Sequence, residues 1–408
     1  MTSTSSRPSG VEVELHRESY ERTDMTHSTR RLAAAGALVI TGALFLAACS
    51  GGSGDDDGSG DADSGELTPV KLQLQWLPQG QFAGYFAAQE QGFFEEEGLE
   101  VEIIPSGGDI VPQDALANGD VDYAIAWVPK VLGSIESGAN VTEIAQIFQR
   151  SGTLQVSWAD SGIESIADFE GKKIGSWGFG NEWEIFAAMA DEGLDSSTVE
   201  IITQDFNMNA FLQGDIDAAQ AMTYNEYAQL LEAVDPATGE QYTPEDFTVI
   251  SYEETAGAML QDAIWADTER LESDEDYQDT TVKFLKAVIK GWAFAAENPE
   301  EASEITIAAG SAWGPSHELW MVNETNKLIW PSPDGIGYID QAAWDKTVAG
   351  ALAAVNETGA HLITEEPPAS AWTNEWIEQA HEELADEDID LTGEGFTPID
   401  VTLEEGGN

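Results

Sequence analysis

LQLQWLPQGQFAGYFAAQEQGFFEEEGLEVEII, residues 72–104, reads as a strand, a loop, a helix and a second strand. Leu72 and Leu74 alternate with Gln73 and Gln75 at the period of a strand with one buried face, and Pro78, which has no N–H to give a ladder, ends it. The loop that begins at Trp76-Leu77-Pro78 therefore sits at the carboxyl end of a strand, the edge of an open α/β sheet where small ligands bind. It offers Trp76, Gln79, Gln81 and Phe82, flat apolar faces beside amides that both donate and accept. These four are candidate ligand-binding residues, and the combination suits a heterocycle.

Outward from this stretch the chain keeps alternating strands and helices. Further strands are expected at residues 99–104, 123–126 and 141–147, and a second series at 173–177, 199–202, 218–222 and 247–251. The last third turns helical, with apolar residues at three and four spacing over 282–296 and 342–355. By itself the pattern supports an α/β fold, and a chain of this length splits its core. No internal repeat of fixed period is visible.

Arg30-Arg31 precede an apolar run over residues 32–47 that closes in Leu46-Ala47-Ala48-Cys49. Residues 1–48 read as a lipoprotein signal peptide, too short and too closely followed by small residues to be a spanning helix, with translation starting at Met1 or Met25. Cys49 is the one cysteine, which leaves no intramolecular disulfide, no thiol nucleophile and no cysteine metal cluster; its expected role is lipidation. Residues 49–66 are Gly, Ser and Asp almost throughout and read as a flexible acidic linker that tethers a folded body to the outer face of the membrane.

A net charge of −60 with 42% hydrophobic residues describes a folded chain with an acidic, salt-adapted surface. Self-repulsion and the lack of a basic patch exclude nucleic acid as a partner. After Cys49 only Arg150 and Arg270 remain as arginines, which weighs against clamping sulfonate, nitrate or phosphate by guanidinium forks and favours a neutral or cationic ligand. His317, His361 and His381 fall in no zinc spacing and Ser176 in no nucleophile elbow, so neither a metal, a cofactor nor a catalytic residue is assigned.

Two more loops carry candidate site residues. In 177–183, Trp177-Gly178-Phe179-Gly180-Asn181-Glu182-Trp183, a Gly-rich turn lies between strand and helix, but the third glycine of a dinucleotide fingerprint is replaced by Trp183. Trp177, Asn181 and Glu182 are the candidates there, with a plain tight turn as the alternative for the glycines. Met222-Thr223-Tyr224-Asn225-Glu226 ends another strand and brings Tyr224, Asn225 and Glu226 together; a helix cap by Thr223 or Asn225, with Glu226 in the first turn, is the competing reading. Glu226 or Glu182 would accept from an exocyclic amine while Asn225 reads a ring nitrogen. Trp127 stands at a strand end as a further aromatic wall or as core, and Trp292, Trp313, Trp320, Trp330 and Trp344 read as packing residues.

Trp76-Leu77-Pro78, Gly92-Phe93-Phe94, Glu97-Gly98-Leu99, Gly119-Asp120-Val121-Asp122, Phe169-Glu170-Gly171-Lys172-Lys173, Lys283-Phe284-Leu285-Lys286-Ala287 and Trp372-Thr373-Asn374-Glu375-Trp376 together resemble the ABC-transporter solute-binding proteins of the thiamine-pyrimidine-synthase-like family. The resemblance covers nearly all of the chain after Cys49. It implies a two-lobed, type II periplasmic-binding-protein-like α/β fold with the ligand in a cleft between lobes. Residues 67–155 would form the N-terminal part of lobe 1 and 156–257 lobe 2, with 258–408 returning as a helical C-terminal region packed on lobe 1. The lobes would be crossed near residues 152–158 and 255–262. It also implies a small heterocyclic ligand, a thiamine pyrimidine precursor or riboflavin, ABC permease subunits as partners, and a monomer. The related fungal synthase uses a loop histidine, where this chain has Phe82, and a cysteine-rich segment, where residues 251–267 have no cysteine; enzyme activity is therefore not expected.

Overall fold

Val70, Leu72 and Leu74 are buried beneath a sheet, as the alternation requires, but Gln73 between them is buried too: its amide donates to the carbonyls of Leu74 and Ile104 at 3.0 Å each. The structure, a computed structural model, describes residues 67–108 and 110–407. The signal segment, the linker and Cys49 lie outside the described residues.

Ten strands are described: β1 (Thr68–Gln73), β2 (Leu99–Ile104), β3 (Tyr123–Trp127), β4 (Val141–Gln146), β5 (Thr153–Trp158), β6 (Lys173–Ser176), β7 (Glu200–Thr203), β8 (Ala218–Met222), β9 (Phe247–Ser251) and β10 (Asp262–Asp267). They form two five-stranded sheets of matching design, ordered β2-β1-β3-β10-β4 and β7-β6-β8-β5-β9. In each, three parallel strands are followed by one antiparallel strand that comes from the far side of a lobe crossing. The two lobes are thus each completed by a strand from across the boundary.

This changes the expected crossings. Residues 153–158 are not a connection but β5, a fully paired strand of the second sheet, and the boundary set between 155 and 156 falls inside it. On the return, the connection is over by Asp262, where β10 enters the first sheet between β3 and β4. Gln261 fastens the two crossings: its Nε2 donates to Thr153 Oγ1 at 2.6 Å and to Glu184 Oε2 at 3.0 Å, and its Oε1 accepts from the Gly152 N–H at 2.9 Å.

The helical third packs chiefly on the first lobe. Helix Glu275–Glu297, capped by the Asp274 carboxylate accepting from Asp276 and Tyr277 N–H, crosses helix Ala83–Glu90 at two glycines, Gly291 and Gly84. Any side chain at the first would stand 2.1 Å from the Gly84 carbonyl oxygen, so the backbones touch directly. Helix Gln341–Ala353 also reaches the second lobe, with Thr347 Oγ1 accepting from Leu260 N–H and Gly350 close to Ala187. Trp292 and Trp344 are core residues, as read. No helix among the described residues is long and apolar enough to cross a membrane.

Candidate functional site

The carboxyl ends of the parallel strands of both sheets face one cavity of about 550 Å³, within the roughly 300–1,000 Å³ typical of small-molecule sites. From β1 come Gln75, Trp76, Gln79 and Gln81; from β3, Trp127 and Lys130; from β6, Trp177 and Asn181; from β7, Phe206; from β8, Tyr224, Asn225 and Glu226. Antiparallel β10 runs the other way, so its first residue, Asp262, arrives at the same edge, opposite Trp127 in the register.

Asp262 is the polar centre of the first-lobe wall. Its carboxylate accepts from Trp127 Nε1 at 2.7 Å, Gln75 Nε2 at 2.6 Å and Gln81 Nε2 at 2.9 and 3.2 Å. Gln79 donates in turn to Gln81 Oε1 at 2.7 Å, so one carboxylate fixes the orientation of a chain of amides. Burial pushes the Asp262 carboxyl up to about 7 against the pull of these donors. Lys130 lies 4.9 Å above the Trp127 ring and is brought down to about 8 by burial, with the Asp262 and Glu182 carboxylates acting the other way. It makes no ion pair among the described residues.

The aromatic walls come from both lobes. Phe206 stands 4.6 Å from Trp76 and 6.0 Å from Trp177, near-parallel to the latter. Trp177 is buried and its Nε1 has no acceptor among the described residues. Tyr224 is buried edge-on to Phe148.

Nine of the eleven expected ligand-binding residues, Trp76, Gln79, Gln81, Trp127, Trp177, Asn181, Tyr224, Asn225 and Glu226, line this cavity. Phe82 does not: the short turn Gly80–Phe82 rolls its ring into the first-lobe core, where it is fully buried. Glu182 does not either, because its carboxylate accepts from the Gly180 N–H at 2.9 Å and is spent on the loop. Asn181 has a similar duty, donating from Nδ2 to the Gly178 carbonyl at 2.7 Å, while its own carbonyl accepts from Gln220 Nε2. These bonds hold three successive left-handed residues, Gly178, Phe179 and Gly180, and leave Phe179 88% exposed at the cavity mouth.

The helix-cap reading of the 222–226 loop is not realised, since Asn225 stands at the cap position without a capping hydrogen bond. Its Oδ1 accepts instead from Gln229 Nε2 at 3.0 Å and faces His317 Nε2 at 3.2 Å. Glu226 accepts from the Met222 N–H at 3.0 Å, and burial raises its carboxyl to about 7.

Sequence reading missed Asp262, Lys130, Gln75 and Phe206. Lys130 and Gln75 were findable, one turn past Trp127 and one residue before Trp76, at strand ends already singled out. Asp262 carried no local signal, because its place depends on pairing with a strand 135 residues earlier.

The NMT1/THI5-like family model matches residues 79–302, more than half of the chain. A formylaminopyrimidine-binding protein of Halalkalibacterium halodurans is 25% identical over 267 residues, spanning 65% of this chain and 75% of its own. The riboflavin-binding protein RibY of Chloroflexus aurantiacus is 23% identical over 296 residues, 69% and 79% of the two chains. A 4-amino-5-hydroxymethyl-2-methylpyrimidine phosphate synthase of Aspergillus parasiticus matches less of the chain, 25% identical over 46% of it and 54% of its own length. Among solved structures, a periplasmic sulfonate-binding protein of Methylobacillus flagellatus has a TM-score of 0.55 at 18% identity, over 83% of this chain and 99% of its own, which shows a shared periplasmic-binding-protein fold.

Proposed function

The chain belongs to the NMT1/THI5-like family, and from that premise we propose that it is the solute-binding component of an ABC importer, closing two lobes over a vitamin-like heterocycle. The observation that carries this reading is the composition of the cleft: aromatic faces from both lobes around a small set of fixed polar groups, with no guanidinium among its lining residues. A flat ring gains stacking against Trp76, Trp177 and Tyr224. Glu226 offers a carboxylate to an exocyclic amine, and the Gln79 and Gln81 amides, held from behind by Asp262, line the opposite wall. Such paired polar recognition rejects rings that lack the matching groups, because buried donors and acceptors would be left unsatisfied.

A thiamine pyrimidine precursor is the ligand class this favours, in keeping with what the Halalkalibacterium relative is named for. Riboflavin is the second reading, favoured by a volume of about 550 Å³ and by the number of aromatic faces. A synthase is disfavoured: Phe82, standing where the enzyme's histidine would, is buried away from the cavity, and the chain has no cysteine beyond Cys49. Lipidation of Cys49 and the acidic linker would hold this feeder at the outer membrane face beside its permease, with the protein acting as a monomer.

Calorimetric titration with 4-amino-5-hydroxymethyl-2-methylpyrimidine, its formylamino relative, thiamine and riboflavin tests the assignment. Binding of one of them with micromolar or tighter affinity is expected. Failure of all four to bind would end the heterocycle reading.

A further inference from the structure

Two neighbouring residues in the first turn of helix Pro315–Ile329 reach loops on opposite walls of the cleft. Glu318 lies on the side of the helix that faces the first-lobe loop between Gln79 and Gln81, where Met321 and Val322 pack against Gly80, and it accepts from Ser311 Oγ at 2.6 Å. His317 turns to the second lobe. Its ring is fully buried, stacked 4.0 Å from Trp313, with Nδ1 2.8 Å from Glu232 Oε1 and Nε2 3.2 Å from Asn225 Oδ1. One turn on, Trp320 Nε1 donates to the Thr223 carbonyl at 3.1 Å, so the helix grips the 223–225 loop at two points.

A side-chain amide on a cavity wall can present either its carbonyl or its NH₂ to a ligand, and the choice decides what the site recognises. For Asn225 the surroundings make that choice. Gln229 Nε2 donates to Oδ1 at 3.0 Å, and His317 Nε2 faces the same oxygen at 3.2 Å, so both neighbours meet the carbonyl and not the NH₂. His317 Nδ1 is held 2.8 Å from the Glu232 carboxylate, which sets the ring so that Nε2 faces that oxygen. The Asn225 Nδ2 hydrogens are left for the cavity that Asn225 lines.

We infer that His317 is a positioning residue that fixes the Asn225 amide with its NH₂ toward the cleft, so that the site requires a hydrogen-bond acceptor, a ring nitrogen or carbonyl oxygen, at that point of its ligand. The inference rests on the heterocycle reading of the cleft and adds to it a polarity at one position.

The test compares wild type, His317→Ala, His317→Gln, Asn225→Ala and the His317→Ala/Asn225→Ala pair. The probes are 4-amino-5-hydroxymethyl-2-methylpyrimidine, the two pyridine analogues in which one ring nitrogen is replaced by CH, and riboflavin. Wild type should bind the pyrimidine about tenfold or more tightly than one of the two analogues, since the analogue strands a buried donor. His317→Ala and Asn225→Ala should each erase that preference, with the pair no worse than Asn225→Ala alone. His317→Gln, whose amide nitrogen can stand in for Nε2, should keep most of it. An intact preference in His317→Ala, or an equal loss for all probes in both His317 variants, overturns the inference, because a merely structural role would weaken every probe alike. If wild type prefers neither nitrogen position, the inference falls while the heterocycle reading stands; if it binds none of the probes, both fall. Melting curves of the unliganded variants separate misfolding from misrecognition, and His317→Gln carries the test where His317→Ala does not fold.

Discussion

Asp262 holds three side-chain donors and is buried, a position in which the charged form gains hydrogen bonds but loses its solvation. Desolvation dominates, so its folded pKa of about 7 lies above the ordinary carboxylate range, and Glu226 across the cleft is raised to the same value for the same reason. Raised carboxyls make the folded state bind protons that the unfolded state has released between about pH 4 and pH 7, so stability falls as pH rises through that window. Lys130 works in the opposite sense: held down to about 8, it has lost its proton in the folded state between about pH 8 and pH 10, and stability recovers there. The melting temperature should therefore pass through a shallow minimum near pH 7 to 8. Asp262→Asn should cost about 1–3 kcal/mol at pH 5, because the amide NH₂ has no lone pair for the donors around it, whereas a protonated carboxyl can still accept on both oxygens, and the gap to wild type should narrow by pH 8. Melting curves of both proteins at pH 5, 6.5 and 8 check this; a gap that widens with pH would contradict the raised carboxyl.

At the scale of elements, the first lobe depends on one close helix crossing. With Gly291 and Gly84 in contact, Gly291→Ala forces its new methyl against the Gly84 carbonyl and Ala88, and the two helices must separate or tilt. A loss of about 1–3 kcal/mol or more is expected, read as a lower urea midpoint, although alanine would favour an isolated helix. Gly193→Ala, at a left-handed turn with open space around it, is the control for backbone strain alone. The same scale shows what was legible in the sequence. Strands β2, β8 and β9 have the bounds their apolar patterns gave, because each is bracketed on both sides by turns or short helices. Strand β5 was read as a connection, and β10, which begins where the expected return crossing ends, was not anticipated: nearly all their residues are buried and so show no alternation, and their pairing partners lie in distant segments. The candidate site follows that division. Strand-end loops announced Trp76, Trp127, Trp177 and Tyr224, whereas Asp262, delivered by β10, was invisible, and Phe82 was placed on the right loop but the wrong side of it.

On the scale of the whole molecule the acid excess governs. With 76 acidic and 16 basic side chains, carboxylates outnumber the cations that can neutralise them. The buried-side ammonium groups are shared accordingly: Lys286 pairs with Glu97 at 2.7 Å and Glu383 at 3.0 Å, and Lys290 with Glu387 at 3.0 Å and Glu97 at 3.6 Å. The remaining carboxylates repel one another over the surface, and unfolding relieves that repulsion by moving them apart. Salt shortens its reach, from a Debye length of about 30 Å at 0.01 M to about 10 Å at 0.1 M and 3 Å at 1 M. Most of the screening gain should thus come below about 0.5 M, and sodium chloride should raise the melting temperature steeply in that range and only gently beyond it. A further rise in molar sulfate would report strengthened apolar burial instead, and sucrose, uncharged, should show no steep early phase. A melting temperature flat between 0.01 and 0.5 M sodium chloride would mean that the surface carboxylates are already balanced in the fold, and the salt-adapted reading of the −60 charge would have to be given up.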